Sequence, residues 1–511
     1  MAGKRNQVHT LFEAKTEVEP IPIQDRRTDE LVIAMVGAVA SGVSFSAKVL
    51  ADILKDNFEY EGEVVKVSKF IEENCSKIGE PILQANDHER VKKLQSVGSK
   101  LREKFGANYL AEKCIEHINQ KRGSPSTTLQ PRRHFTIIDS LKNPQEVDRL
   151  RSVYGDNFWL IGIFAPDHVR EARLRELGHE SVYALQIMKT DQDEGLKHGQ
   201  LVRDTMQNSD FFVRNGSQNS ETLKKTMLRF VDIIFGTAIV TPTVDESSMF
   251  AATSSSTGSA CLSRQVGAVI TSTSGDIIGR GANDVPKYMG GLYNVSDEDK
   301  DHRCFKWKQN ICHNDDRKAK LLDQSVLALK AAGTLKNASD RKVLEALKGT
   351  GLKNLIEFSR SIHAEMEAII SVARSGKAGL VGSTLYSTTF PCHSCARHIV
   401  ASGIVRVIYI EPYAKSLALD LHDDSISTSE DETGKVKFLQ YEGVAPKNAV
   451  KLFKDRGDRK VKGKLSLTVR AEAHPATHGA LDGLAQRELL IVASLRQRES
   501  QARGETLNGE K

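Results

Sequence analysis

The sequence predicts an α/β protein of two domains, and three observations carry that expectation. Apolar runs rich in β-branched residues alternate with segments of helical spacing through the first half, the pattern of a parallel sheet covered by helices. The chain has 511 residues, which at roughly 150 per domain corresponds to about two to four domains. Its character changes near Thr241-Pro-Thr-Val244, which places a domain boundary at residues 236–246.

Residues 1–27 read as a polar arm. Leu31-Val-Ile-Ala-Met-Val36, stopped by Gly37, reads as a buried parallel strand, and Phe45 to Lys55 has helical spacing. Glu63–Val67, Phe135–Ile138, Phe158–Phe164 and Phe211–Val213 are further strand candidates, separated by helical stretches such as Asp87–Phe105 and Ala107–Gln120. Beyond the boundary, Met249–Ser259 is rich in small residues and helical in part. Val266–Thr271 and Ile277–Gly281 are strands around the turn Ser274-Gly275-Asp276. Residues 290–356 form a long polar stretch with a Lys-rich helical pattern. Strands return at Thr384–Ser387 and Val405–Ile410, separated by a helix over Cys395–Ser402. Lys451–Arg470 holds eight Lys/Arg and two Asp, which reads as a solvated face or flexible arm rather than a polyphosphate or nucleic-acid site. The expected divisions are 1–27, 28–240, 241–450 and a basic segment 451–511.

Composition narrows the class. No apolar run approaches the roughly 20 residues needed to span a bilayer; Leu31 to Val43 is too short. Met1 to Arg26 is polar with both signs of charge, unlike a secretory signal. A soluble cytoplasmic protein with no membrane partner is the expectation. The net charge of +6, from 72 Lys+Arg against 66 Asp+Glu, is weak support for nucleic-acid binding. The seven cysteines are odd in number, which argues against a disulfide framework in a reducing compartment. Cys75, Cys114 and Cys261 stand alone and read as small buried hydrophobes. Cys304 with Cys312, and Cys392 with Cys395, form pairs that suggest metal.

The most specific signal is His363-Ala364-Glu365, then 25 residues (366–390), then Pro391-Cys392-His393-Ser394-Cys395. His363, Cys392 and Cys395 are suitable Zn2+ ligands, and Cys-x-x-Cys at a helix start can direct both sulfurs to one ion. Three protein ligands leave a fourth position for water, which marks a catalytic rather than a structural zinc and gives a hydroxide nucleophile near neutral pH. Glu365, two residues beyond His363, is placed to take the proton of that water and deliver it to a ring and a leaving ammonia. A zinc-ribbon-like knuckle normally offers four ligands, and His393, between the two cysteines, is poorly placed to be the fourth. The ordered His-x-Glu…Pro-Cys-x-x-Cys set is the signature of zinc nucleoside and nucleotide deaminases.

From these residues the second half resembles the cytidine deaminase superfamily, and within it the deoxycytidylate deaminases. Ser263-Arg-Gln-Val-Gly-Ala-Val-Ile270 resembles that family's first strand, and Gly281-Ala-Asn-Asp-Val-Pro286 its Gly-Tyr-Asn-Gly-x-Pro loop. The resemblance implies an α/β/α three-layer domain, with Asn283 on the deoxyribose and Arg264 on the phosphate side of the substrate. Tyr386-Ser-Thr-Thr389 also fits, the tyrosine as packing. Ala282 and Asp284 depart from the family's tyrosine and glycine and leave the substrate's phosphate count open. His302, Cys304, Cys312 and His313 offer a second, structural zinc site, although the family's spacing is not reproduced.

Gly37-x-x-x-x-Gly42-Val43-Ser44 lies between a strand and a helix, the setting of a phosphate-binding P-loop. Val43 stands where the Walker lysine would be, and loss of that cation argues against phosphoryl transfer. Ser44 keeps the magnesium-binding hydroxyl. Phe135-Thr-Ile-Ile-Asp139 resembles a strand ending in the Walker B acid, and Arg170 and Arg173 follow Phe158–Phe164 as in a nucleotide-kinase lid. The reading is a P-loop NTPase-like parallel sheet with a regulatory nucleotide site at Gly37, Gly42 and Ser44.

A degenerate P-loop domain ahead of a deoxycytidylate-deaminase-like domain resembles the bacterial anti-phage cytidine deaminases, over approximately residues 28–450. Glu411-Pro-Tyr-Ala-Lys-Ser-Leu417 with Leu421-His-Asp-Asp424 belongs to that likeness. It implies hydrolytic deamination of dCTP and dCMP to dUTP and dUMP, depleting the dCTP pool in defence against phage. It also implies an N-terminal domain that gates activity, an inhibitory noncoding RNA in the operon, and a homo-oligomer. The rivals are a polynucleotide-editing deaminase, a bifunctional kinase–deaminase and a non-catalytic nucleotide sensor. Aromatics are only 6% of the chain, few for stacking flanking bases, and Val43 argues against the kinase.

Overall fold

The structure, a computed structural model, describes residues 27–502 apart from 82–88, 123–131, 193–199, 217–219, 336–338, 377–378, 414, 455–458 and 477–478. The expected polar arm thus lies outside the described residues except for Arg27, which with Thr28 pairs antiparallel to Gly479–Ala480.

Strand β1 (Leu31–Gly37) is buried along its whole length, as its unbroken apolar run requires. A tight loop leads into α1 (Val43–Phe58). Then come β2 (Glu61–Lys66), β3 (His134–Leu141), β4 (Phe158–Phe164), α2 (Asp167–Glu176), α3 (Val202–Gln207) and β5 (Phe211–Arg214). The five strands are parallel in the order β2-β3-β1-β4-β5. The order reverses beside β1, so the crevice at the carboxyl end of β1 is the natural ligand position of this α/β sheet. Leu31, Ile33 and Met35 face a core shared with α1 and the helix Ser220–Phe235. Val32, Ala34 and Val36 face the core under Arg90–Phe105 and Tyr109–Arg122.

The second domain opens with α4 (Val244–Ser256), five residues before the expected Met249. The reason is local: Thr243 and Glu246 form a reciprocal capping box that starts the helix there. β6 (Gly267–Thr271) and β7 (Ile277–Ala282) form a hairpin. The polar insert carries α5 (His313–Ala331). Then follow α6 (Ala364–Ser375), β8 (Thr384–Thr389), α7 (His393–Ala401), β9 (Arg406–Glu411), β10 (Ile426–Ser427) and β11 (Val436–Gln440). The sheet order is β10-β11-β9-β8-β6-β7, with β6 antiparallel to β8. Successive residues alternate faces. Ala268, Ile270, Leu385 and Val407 pack under α6 and α7, whereas Val269, Tyr386 and Ile408 pack against Met249 and Ala252 of α4. The domain is the expected three-layer α/β/α arrangement.

The two sheets are joined. β12 (Gly443–Val444) leaves the second domain and adds antiparallel to the edge of β5. The buried Glu246 carboxylate accepts from Val444 N at 2.9 Å and from Arg229 Nη2 at 2.6 Å, holding α4, β12 and the last helix of the first domain together.

Asp245, in the first turn of α4, accepts from Tyr386 Oη at 2.7 Å and from both Arg406 Nη atoms at 2.9 and 2.8 Å. Burial pushes its carboxyl up, but the Arg406 and Tyr386 hydrogen bonds outweigh it and hold the group below its ordinary value. A depressed carboxylate stabilises the fold above the unfolded-state pKa of about 4 and loses that contribution as pH falls through the lower folded-state value. Asp245→Asn is therefore expected to cost about 1–3 kcal/mol at pH 7 in urea unfolding, with the gap from the parent closing below about pH 4.

The C-terminal segment divides. The hairpin strands Lys460–Val461 and Lys464–Leu465 are exposed, in keeping with a solvated face. The chain after it is not an arm. α8 (Leu481–Ala502) packs against Tyr109–Arg122 and inserts Leu484 and Leu495 into the first core. Its buried positions Leu484, Ala485, Glu488, Val492 and Leu495 form one helical stripe. Glu488 is fully buried and receives Arg122 Nε and Nη2, both at 2.9 Å. The first domain is thus completed by the far end of the chain.

Candidate metal centre and active site

β7 delivers α6 to the site. A Cβ on Gly281 would fall on the Ala364 carbonyl oxygen, so only glycine lets the helix start sit this close to the strand. His363 is the N-cap of α6, and Glu365 lies in its first turn, 4% exposed. Cys392 is the N-cap of α7, which therefore begins at His393, two residues before the expected Cys395. Two helix N-termini thus converge, and their dipoles and free amides favour anionic sulfur.

His363 Nδ1 lies 3.3 Å from both Cys392 Sγ and Cys395 Sγ, and all three donor atoms fall within 4.8 Å of one another. Tetrahedral ligands at ordinary Zn–S and Zn–N lengths would stand roughly 3.5 Å apart. The donor set fits a soft, four-coordinate ion. The Cys392 thiol is pulled down to about 4 by its hydrogen bonds with Cys395 and then His363. Burial pushes the Glu365 carboxyl up, and Cys395 Sγ donates to Glu365 Oε2 at 3.6 Å, so the glutamate stands beside the donor set without joining it.

His363, Glu365 and Cys392 line a cavity of about 510 Å³ whose walls also include Asn283, Phe390 and Tyr413. Asn283 Oδ1 accepts from Val266 N at 2.7 Å, and its Nδ2 donates to Arg264 O at 2.8 Å, so its amide fixes the entry to β6 as well as lining the cavity. Arg264 also lines it, half-exposed, with its guanidinium 3.2 Å from Glu411. Asp284, the departure from the family's glycine, accepts from Ala260 N at 2.8 Å and is buried. The segment Glu411–Leu417 acquires a purpose: Pro412, Tyr413 and Lys415 line the cavity, and Ser416 Oγ donates to Pro391 O at 2.8 Å.

Among the described residues, the set His363, Cys392 and Cys395 is the one group of metal-ligating side chains that converges. His302 faces Tyr293 at 3.4 Å, and Cys312 Sγ lies 3.7 Å from Ser263 Oγ. Cys304 and Cys312 instead line the cavity, and so does Cys261, which departs from its expected place in a core; Cys75 and Cys114 are buried as expected.

The Gly37–Ser44 loop caps α1 at the crevice beside β1. Gly42 has φ 87°, and the Asn215 amide fills the space a Cβ would need. Ser44 Oγ donates to Asp139 Oδ2 at 2.6 Å. Val43 is turned into the core. Lys142 Nζ donates to Gly37 O at 2.9 Å, Arg170 Nε to Val39 O at 2.8 Å and Arg173 Nη1 to Ala40 O at 3.1 Å. Arg170 is 2% exposed, and its Nη2 finds no hydrogen-bond partner among the described residues.

Residues 242–411 match the family described as the cytidine and deoxycytidylate deaminase zinc-binding region, which contains the whole donor set, Glu365, Asn283 and Arg264. The deoxycytidylate deaminase of Enterobacteria phage T2 is 37% identical over 84 residues, 16% of this chain and 43% of that protein. A UPF0200/UPF0201 protein of Archaeoglobus fulgidus is 26% identical over 195 residues, 38% of this chain and 53% of that protein. The chain thus spans about half the length of these relatives. The dCMP deaminase of cyanophage S-TIM5 is a structural neighbour at 19% identity and a TM-score of 0.23, over 40% of this chain and all of that one. The match lies in the second half of the chain, where the donor atoms of His363, Cys392 and Cys395 stand close enough together to hold a metal ion. Among the described residues, no helix is long and apolar enough to cross a membrane.

Proposed function

We propose that the chain hydrolytically deaminates deoxycytidine nucleotides, dCTP and dCMP, to dUTP and dUMP. The observation that carries this reading is the buried Glu365 standing beside the His363–Cys392–Cys395 set on the wall of a 510 Å³ cavity that His363, Glu365 and Cys392 line. His363, Cys392 and Cys395 would hold a zinc ion, which would lower the pKa of a bound water toward neutrality. Glu365 Oε2 would take one proton of the attacking water and pass it to the ring nitrogen, then carry the second, from the new hydroxyl, to the amino group, which leaves as ammonia as the ring carbonyl forms. Asn283 lines the wall where a sugar would lie, and Phe390 offers an apolar face to the base. The test is ammonia release from dCTP, dCMP, CTP and cytidine by purified protein. Deoxycytidine nucleotides are expected to react; release from ribonucleotides alone, or from none, would overturn the reading.

The first domain serves as a regulatory site in this reading. The α1 N-terminus, the Ser44–Asp139 pair and the unpartnered Arg170 Nη2 suit a nucleotide phosphate, while Val43 leaves no lysine for phosphoryl transfer. Isothermal titration with ATP and dCTP on Arg170→Ala tests it: weakened binding with unchanged ammonia release from deoxycytidine is the expected outcome. In a cytoplasmic setting, deamination would drain the dCTP pool of a phage-infected cell. The accompanying expectation is a fall in dCTP and in plaque number that Glu365→Ala abolishes.

A further inference from the structure

The cavity that Glu365 lines is not built by the second domain alone. Arg203 of α3 lines it, with Asp204 and Gln207, although α3 belongs to the first domain. The placement is fixed from both sides. Leu201 N, at the helix start, donates to Lys142 O at 2.9 Å, and α3 packs against both β1 and β9.

The charges on the cavity wall are uneven. Five cations, Arg203, Arg264, Lys318, Arg360 and Lys415, stand against three acids, Asp204, Asp315 and Glu365. Asp315 is partly neutralised by Lys318 at 2.8 Å. Arg264 is engaged with Glu411, and Arg360 lies over the Trp307 ring at 3.6 Å. Burying a neutral base and sugar needs none of these cations. A triphosphate needs several, because its oxygens must exchange water for charged donors.

We infer that the outer phosphates of a nucleoside triphosphate are seated between the domains, with Arg203 of the first domain facing Lys318 and Lys415 of the second. This rests on the deaminase reading above. The seat makes the first domain part of the substrate site and ties triphosphate preference to α3, which also touches the strand that leads into the Gly37–Ser44 loop.

The test uses the full chain and its Arg203→Ala, Arg203→Lys and Lys318→Ala/Lys415→Ala variants, each compared on dCTP, dCMP and deoxycytidine. Arg203→Ala is expected to raise KM for dCTP at least tenfold, for dCMP only a few-fold, and for deoxycytidine not at all, with Arg203→Lys recovering part of the loss. The double variant is expected to do the same, so the seat is tested even where one variant folds poorly. Equal effects on all three substrates, or none, would overturn the shared seat while leaving deamination standing. If the parent deaminates nothing, the deaminase reading fails, and the seat is judged by dCTP binding in calorimetry. Competition by inorganic tripolyphosphate and loss of both signals in Arg203→Ala then support it; undiminished binding overturns it.

Discussion

Glu365→Gln is expected to lower ammonia release from dCTP and dCMP by about 10²- to 10⁴-fold while zinc content stays at the parent level. The glutamate is buried, touches Cys395 Sγ and stands outside the donor set, so its loss removes a proton carrier and leaves the ligands in place. The amide keeps the size of the side chain but cannot accept and return a proton at Oε2. Metal analysis and steady-state kinetics on the same preparation separate the two effects. Full activity in this variant would remove Glu365 from the chemistry, and loss of zinc would make it a ligand.

Cys392→Ala is expected to lose both zinc and turnover. Cys392 is at once a donor, the N-cap of α7 and the partner of His363 Nδ1 at 3.3 Å. Removing a group that merely supports a ligand weakens metal binding by about 10- to 100-fold, and losing the ligand itself is expected to exceed that range. Chelator competition reads the affinity, and thermal unfolding with and without added Zn2+ reads the linkage: the parent gains stability from the ion, and the variant gains little. A variant that keeps zinc at parent affinity would show that the cysteine is packing. His363→Ala should behave alike, because each of three donors carries a comparable share of a site with no spare ligand.

The chemistry was legible because it is written in short-range order. His363, Glu365, Cys392 and Cys395 lie in two short segments, each at a helix start, so their spacing is visible in the residue order even though packing on the sheet is what brings the two helix starts together. The strands of the first sheet were legible for a similar reason: Leu31–Gly37 is apolar throughout because both faces are covered. Helix starts were read late where the cap was overlooked, at Thr243 for α4 and Cys392 for α7.

The second cysteine pair shows where spacing stops informing. Among the described residues, His302, Cys304, Cys312 and His313 are near in sequence but do not gather as converging donor atoms: His302 faces Tyr293, whereas Cys304, Cys312 and His313 line the cavity. Cys261 looked like core and became cavity wall because nothing in its neighbours marks the loop that carries it.

The sequence by itself pointed to the candidate metal donors, the candidate proton carrier and the parallel sheet with its P-loop-like turn, since each is marked by residue order within short segments. Only the tertiary structure decided that α8 completes the first core, that β12 joins the two sheets, and that Arg203 reaches the cavity of the other domain. Those contacts close loops of tens to hundreds of residues. No local pattern encodes their partner, because an apolar stripe or an exposed cation fits many surfaces until packing selects one.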